Sequence, residues 1–183
     1  MLSHTLILPL LAILLIASWT DIRRHRIPNL ASLGGALLGL GLNALLFGLD
    51  GFLGGLYGLG LGLLIFLPFY ALGGMGAGDV KLLAAVGAFV GPIPVLLAGA
   101  LSLVVSIPLG LVYAAARSGF KLDLGRYWLM IKTFCRTLKV HYIPPPPGDV
   151  MATRFPYALA ILAGTVIALL WLSPPGAPLG FWK

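Results

Sequence analysis

Two carboxylates in this sequence are placed where they could do chemistry. Asp79 lies in the stretch 73-GGMGAGDVKLLAAVGAFVG-91, behind a run of glycines in an otherwise apolar segment. Asp21 lies in 18-SWTDIRRHRIPN-29 and is followed closely by Arg23, Arg24 and Arg26. Two carboxylates that share a site can hold one proton between them, because like charges raise one pKa and leave the other group ionised. The ionised member can then act as general base on a water while the protonated one polarises a carbonyl. That is the aspartic route to peptide hydrolysis, and it requires neither a metal nor a cofactor. Each residue alone has a plainer reading. Asp79 reads as a helix N-cap, a position that favours aspartate, and Asp21 as an interfacial carboxylate paired with nearby arginines.

Other reaction chemistries find little support. The three histidines, His4, His25 and His141, lie far apart and form no local ligand pattern. The single cysteine, Cys135, excludes a disulfide framework and a multi-cysteine zinc module. It lies six residues from His141, a weak basis for a thiol protease, and no serine–histidine arrangement is visible among the few serines. The acidic side chains number five, all aspartate: Asp21, Asp50, Asp79, Asp123 and Asp149.

The elements that must position these groups are membrane helices. The chain has 183 residues, of which 60% are hydrophobic and 9% charged; a soluble domain carries roughly a quarter charged residues. Apolar stretches with short polar breaks predict an all-α integral membrane protein with six spans, about 2–20, 30–48, 52–72, 79–91, 94–116 and 155–172. One membrane-embedded domain over 1–183 is expected. The second and third spans should be joined by a tight break at Asp50-Gly51. In the third, Gly54, Gly58 and Gly62 recur every four residues and line one face with small side chains, so that another helix can approach closely. Packing inside one bundle is the expected use of that face, with a homodimer contact as its alternative. The 117–154 segment reads as a basic interfacial helix ended by the Pro144–Pro147 spacer.

The net charge of +7 suggests orientation rather than nucleic-acid binding. With the N-terminus outside, segments 21–29, 73–81 and 117–154 fall on the cytoplasmic side, and they carry eleven of the twelve lysines and arginines. Asp21 and Asp79 then share one membrane face, although 58 residues separate them. The helix after Asp79 is short: its eleven residues, 80–90, rise about 17 Å, about half the hydrocarbon thickness of ~30 Å. Asp79 is therefore expected below the cytoplasmic interface, with Gly73, Gly74, Gly76 and Gly78 forming irregular backbone that only protein or a wet cavity can satisfy. Carboxylates at such depth are costly and mark functional sites. A small proton- or cation-coupled transporter is the alternative use for two such aspartates, but the halves of the chain show no repeat of the glycine-rich motif.

At these residues the sequence resembles the type IV prepilin peptidases, membrane aspartic proteases of the GxGD class. The resemblance rests on Asp21 followed by the arginine-rich stretch and Ile27-Pro28-Asn29, and on Gly76-Ala77-Gly78-Asp79 followed by Val80-Lys81-Leu82. Arg154-Phe155-Pro156-Tyr157, ahead of the last span, is similar to the family as well. The resemblance implies that Asp21 and Asp79 are the catalytic pair and that Gly76 and Gly78 shape the catalytic loop. Lys81 is placed to bias Asp79, or to snorkel to the interface. It further implies a prepilin-like substrate whose short basic leader is cut at the cytoplasmic face of a bacterial inner membrane, among lipid, with no nucleic-acid partner. Larger relatives also methylate the new N-terminus through an added cytoplasmic region with paired cysteines. This sequence resembles the short tight-adherence form that processes Flp-type pilins, for which no methyltransferase activity is expected.

Overall fold

The computed structural model describes residues 4–72, 74–116, 132 and 156–172. They are helical, and no strand occurs among them. The chain divides into two units, Met1–Ile107 with Pro156–Lys183, and Pro108–Phe155. The described residues of the second unit are the final turns of α4 and Lys132. The interfacial helix expected over 117–154, with Cys135, His141, Asp123 and Asp149, lies outside the described residues.

Helix α1 runs from His4 to Arg24 and ends as His25 turns into the left-handed region, at φ 49°. Pro28 then restarts helical structure as a π-helical turn, Leu30–Gly34, with Ala31 and Ser32 both donating to its carbonyl. Helix α2, Gly35–Ala71, follows and breaks at Gly48, where φ is 65° and ψ is −144°. Only glycine adopts that conformation without strain. The chain reverses there, because Gly51 packs on the Asn43 carbonyl and Gly55 on the Leu40 side chain. The reversal thus lies at Gly48, not at the expected Asp50-Gly51: the geometry demands positive φ, and Gly51 is instead a contact point in the returning arm. Helices α3, Ala77–Val90, α4, Pro92–Ala116, and α5, Tyr157–Leu172, complete the described chain.

Among the described residues, three helical stretches are long and apolar enough to cross a membrane: Thr5–Arg24, the kinked Leu30–Ala71, and Pro92–Tyr113. Their outward faces carry Leu8, Leu15, Leu45, Val104 and Ile107. These exposed hydrophobics suit lipid rather than water, and the protein is a membrane protein.

Helix α3 is the centre of the first unit. Val80 and every residue from Leu82 to Val90 are buried, the pattern of a helix surrounded by protein on all sides. It lies antiparallel to the returning arm of α2, with Gly62 against Leu83 and Ala84, Gly58 against Gly87, and Gly55 against Ala88. The glycine face read in the sequence therefore serves contact within the bundle. On the other side Gly35 meets Ala85 and Gly39 meets Phe89, parallel to α3. The fourteen residues of α3 amount to about 21 Å of helix, short of the ~30 Å apolar thickness.

A helix ending inside protein must satisfy its last carbonyls. Asn43, fully buried, does this for α3: its side-chain amide Nδ2 donates to the carbonyls of Ala88 at 2.8 Å and Phe89 at 3.1 Å, and to Gly39 of its own helix at 3.1 Å. Gly91, at φ 82°, then turns the chain into α4. The short helix is thus clamped at its far end by a single amide from α2.

Candidate active site

Asp79 stands at the opposite end of α3. The helix begins at Ala77, two residues earlier than the Asp79 start read from the sequence. Asp79 is therefore not the N-cap. It is the third helical residue, and its Oδ2 accepts a hydrogen bond from the Gly76 backbone N–H at 3.1 Å while its own N–H donates to the Gly76 carbonyl, also at 3.1 Å. The carboxylate folds back over the loop that leads into its own helix. Gly76 leaves room for it, since a Cβ at that position would stand 3.0 Å from Asp79 Oδ2. The helix dipole favours a negative charge in this first turn.

Gly78 serves a different contact. A Cβ there would meet the Ile27 Cβ at 3.1 Å, so the Ile27-Pro28-Asn29 segment after α1 lies directly against the start of α3. Lys81 adds to the same contact, its Nζ donating to Asn29 Oδ1 at 3.4 Å. The two motifs that stood out in the sequence are therefore packed on each other. Gly73 falls outside the described residues.

Asp21 lies in the last turn of α1 and is 6% exposed. The plain expectation was an interfacial pair with its arginines. Instead its Oδ2 accepts the backbone N–H of Ala158 at 3.1 Å, and Arg23 lies over the Trp19 ring, 4.2 Å from the centroid. Ala158 is the second residue of α5, so Asp21 satisfies one of the N–H groups that every helix start leaves open.

The first turn of α5 is also where Asp79 is felt. Tyr157, next to Ala158, is within electrostatic reach of the Asp79 carboxylate. Its ring stands edge-on to Phe66 of α2, with centroids 5.6 Å apart and planes at 82°. Residues from α1, α2, α3 and α5 thus converge here, and the aspartates face adjacent residues of α5, Asp21 the Ala158 N–H and Asp79 the Tyr157 side chain. Each carboxylate accepts one N–H at a helix start, Asp79 from the Gly76 N-cap and Asp21 from a neighbouring helix.

Sequence reasoning did not single out Asn43, Ala158 or Phe66. Asn43 had one available signal, a lone amide in an apolar run. Ala158 contributes a backbone group and has no side-chain signature at all.

The sequence model of the type IV leader peptidase family matches residues 8–115, a stretch that holds both aspartates. No curated protein and no solved structure matches the chain.

Proposed function

The chain belongs to the type IV leader peptidase family and is therefore a protease; from that premise we propose that it is an aspartic endopeptidase that removes the short basic leader from prepilin-like precursors, with Asp21 and Asp79 as its catalytic pair. The observation that carries this reading is the shared first turn of α5. The Ala158 N–H is bound by Asp21, and the adjacent Tyr157 is within reach of Asp79.

In the proposed reaction one carboxylate is ionised and takes a proton from water. The resulting hydroxide attacks the scissile carbonyl carbon while the protonated carboxyl gives its proton to the carbonyl oxygen. The C–N bond then breaks: the amine leaves with the proton taken from water, and one hydroxyl of the tetrahedral intermediate returns its proton to the second carboxylate as the new carboxyl group forms. Gly76 and Gly78 keep the loop narrow beside the substrate backbone, and Lys81 ties the start of α3 to Asn29.

The topology we propose has six spans, with the two arms of α2 as separate crossings, the N-terminus outside and the site facing the cytoplasm of a bacterial inner membrane. That side carries the arginines after α1, as the positive-inside rule requires. The transporter alternative is disfavoured by membership of a peptidase family.

Co-expression with a small prepilin tests the proposal. The wild type should give a shortened product on immunoblot, and Asp21→Ala and Asp79→Ala should each leave the precursor full length. Normal processing by either variant would remove the two-aspartate mechanism.

A further inference from the structure

Hydroxyls in these apolar helices have a common habit. Thr20 Oγ1 donates to the carbonyls of Ile16 at 2.9 Å and Ala17 at 3.0 Å, Ser102 Oγ to Ala98 at 2.6 Å, and Ser106 Oγ to Leu103 at 2.7 Å. Each spends its proton on its own helix, one turn back. Ser18 does not. Its side chain is 4% exposed, its Oγ is buried, and it takes no hydrogen-bond partner among the described residues. A buried hydroxyl in that state costs free energy that a partner at the site would return. Its place on α1 decides what that partner is. Ser18 precedes Asp21 by three residues, so the two side chains are neighbours on one helix face. Leu10, Leu14 and Ala17 are buried along the same face. Asp21 gives Oδ2 to the Ala158 N–H, and its Oδ1 has no hydrogen bond among the described residues.

We propose that Ser18 Oγ and Asp21 Oδ1 together seat the reacting water, which makes Ser18 a further catalytic residue. This inference rests on the peptidase reading. Three residues of helix rise about 4.5 Å, and side chains at this spacing have Cβ atoms about 5–6 Å apart. A water about 2.8 Å from each oxygen spans that separation. Ser18 keeps its own proton throughout and forms no bond to carbon. The water still gives its proton to the ionised carboxylate, and its oxygen still attacks the carbonyl carbon. What the hydroxyl adds is a second fixed contact, which aims the lone pair of the water at the peptide. A misplacement of about 1 Å at reacting groups costs up to about a hundredfold in rate.

The experiment uses the full-length protein in lipid nanodiscs with a purified prepilin, and reads both rate and unfolding temperature. Ser18→Ala deletes the hydroxyl alone. Thr165→Val is the control: Thr165 is 1% exposed and its Oγ1 also lacks a partner, but it lies seven residues along α5 from Ala158, about 10 Å of helix. The expected result for Ser18→Ala is a fall in kcat of about tenfold to a hundredfold, with KM held within about twofold. Its unfolding temperature should match or exceed that of the wild type, because the lost hydroxyl bonds to nothing else in the fold. A merely structural serine would not divide the two readouts in this way. Thr165→Val should keep its stability and stay within about twofold of wild-type kcat. Wild-type kcat in Ser18→Ala overturns the proposal. So does a slower Ser18→Ala that is also less stable or fails to fold, since the hydroxyl would then be a structural bond. An equal loss of kcat in Thr165→Val overturns it as well. Asp21→Ala and Asp79→Ala run in parallel: processing by these would defeat the peptidase reading itself, whereas their inactivity beside a fully active Ser18→Ala defeats only the role of Ser18.

Discussion

Gly58 and Gly60 lie on one helix two residues apart, and their replacement by alanine should have opposite consequences. A Cβ at Gly58 would stand 2.7 Å from the Gly91 carbonyl carbon and 2.8 Å from that of Gly87, and closer still to the Gly87 oxygen. Carbon atoms rest at about 3.5–4.0 Å, so the returning arm of α2 and α3 must move apart by roughly 1 Å. A gap of that size forfeits about a quarter to a half of the attraction of each atom pair along the contact. Overpacking of this kind costs about 1–3 kcal/mol. Gly60 has nothing within 4 Å of its would-be Cβ, so Gly60→Ala gains only helix propensity, worth about 0.5–1 kcal/mol. The two variants should therefore differ by about 2–4 kcal/mol in stability. Unfolding in mixed detergent micelles, followed by helical circular dichroism, measures the difference. Activity supplies a second readout, because α3 carries Asp79 and a shift of about 1 Å costs up to about a hundredfold in processing. Equal stability and equal processing in Gly58→Ala and Gly60→Ala would refute the close approach that places α3.

Three further outcomes follow from the same geometry. Asn43→Ala should lose about 1–3 kcal/mol, because the last carbonyls of α3 are left without their donor, and Asn43→Asp should be worse because a carboxylate has no proton to give; thermal unfolding in detergent measures both. Gly78→Ala should slow prepilin processing by about tenfold or more through displacement of Ile27 from the start of α3, and Ile27→Gly in the same background, which removes the opposing Cβ, should restore part of the rate in a cleavage time course. Lys81→Met should process at close to the wild-type rate, since a hydrogen bond of 3.4 Å on an exposed side chain contributes about 0.5 kcal/mol or less; a loss of more than about tenfold in a cleavage time course, or 1.4 kcal/mol, would give Lys81 a role beyond anchoring Asn29.

Much of this arrangement was legible in the sequence because membrane helices are coded by composition and glycine spacing. The apolar runs marked α1 and α4 to within a few residues, and the four-residue spacing of Gly54, Gly58 and Gly62 announced a close helix contact. The errors are local and have local causes. A kink needs one residue at positive φ, and four glycines between positions 48 and 55 offered the chain several choices; Gly48 took it, while Gly51 went to contact Asn43. The start of α3 was read from Asp79 because aspartate favours N-caps, yet its carboxylate reaches back equally well from the third helical position. That shift matters, since it changes Asp79 from a residue flanking the helix to one that folds over the loop.

What the sequence could not code in side chains is the meeting of the two aspartates with α5. The N–H of Ala158 is common to every residue but proline, and only folding decides which one Asp21 receives. The consequence is an asymmetry in how the site can be damaged. Removing either aspartate deletes a chemical group and should abolish cleavage outright. Disturbing the glycines or Asn43 leaves every reacting group present but moves it, so these changes should lower kcat by graded amounts. The short buried helix makes the grading possible. Held by Asn43 at one end and by the Ile27–Gly78 contact at the other, α3 has no apolar turns to spare, and a displacement anywhere along it is carried to Asp79.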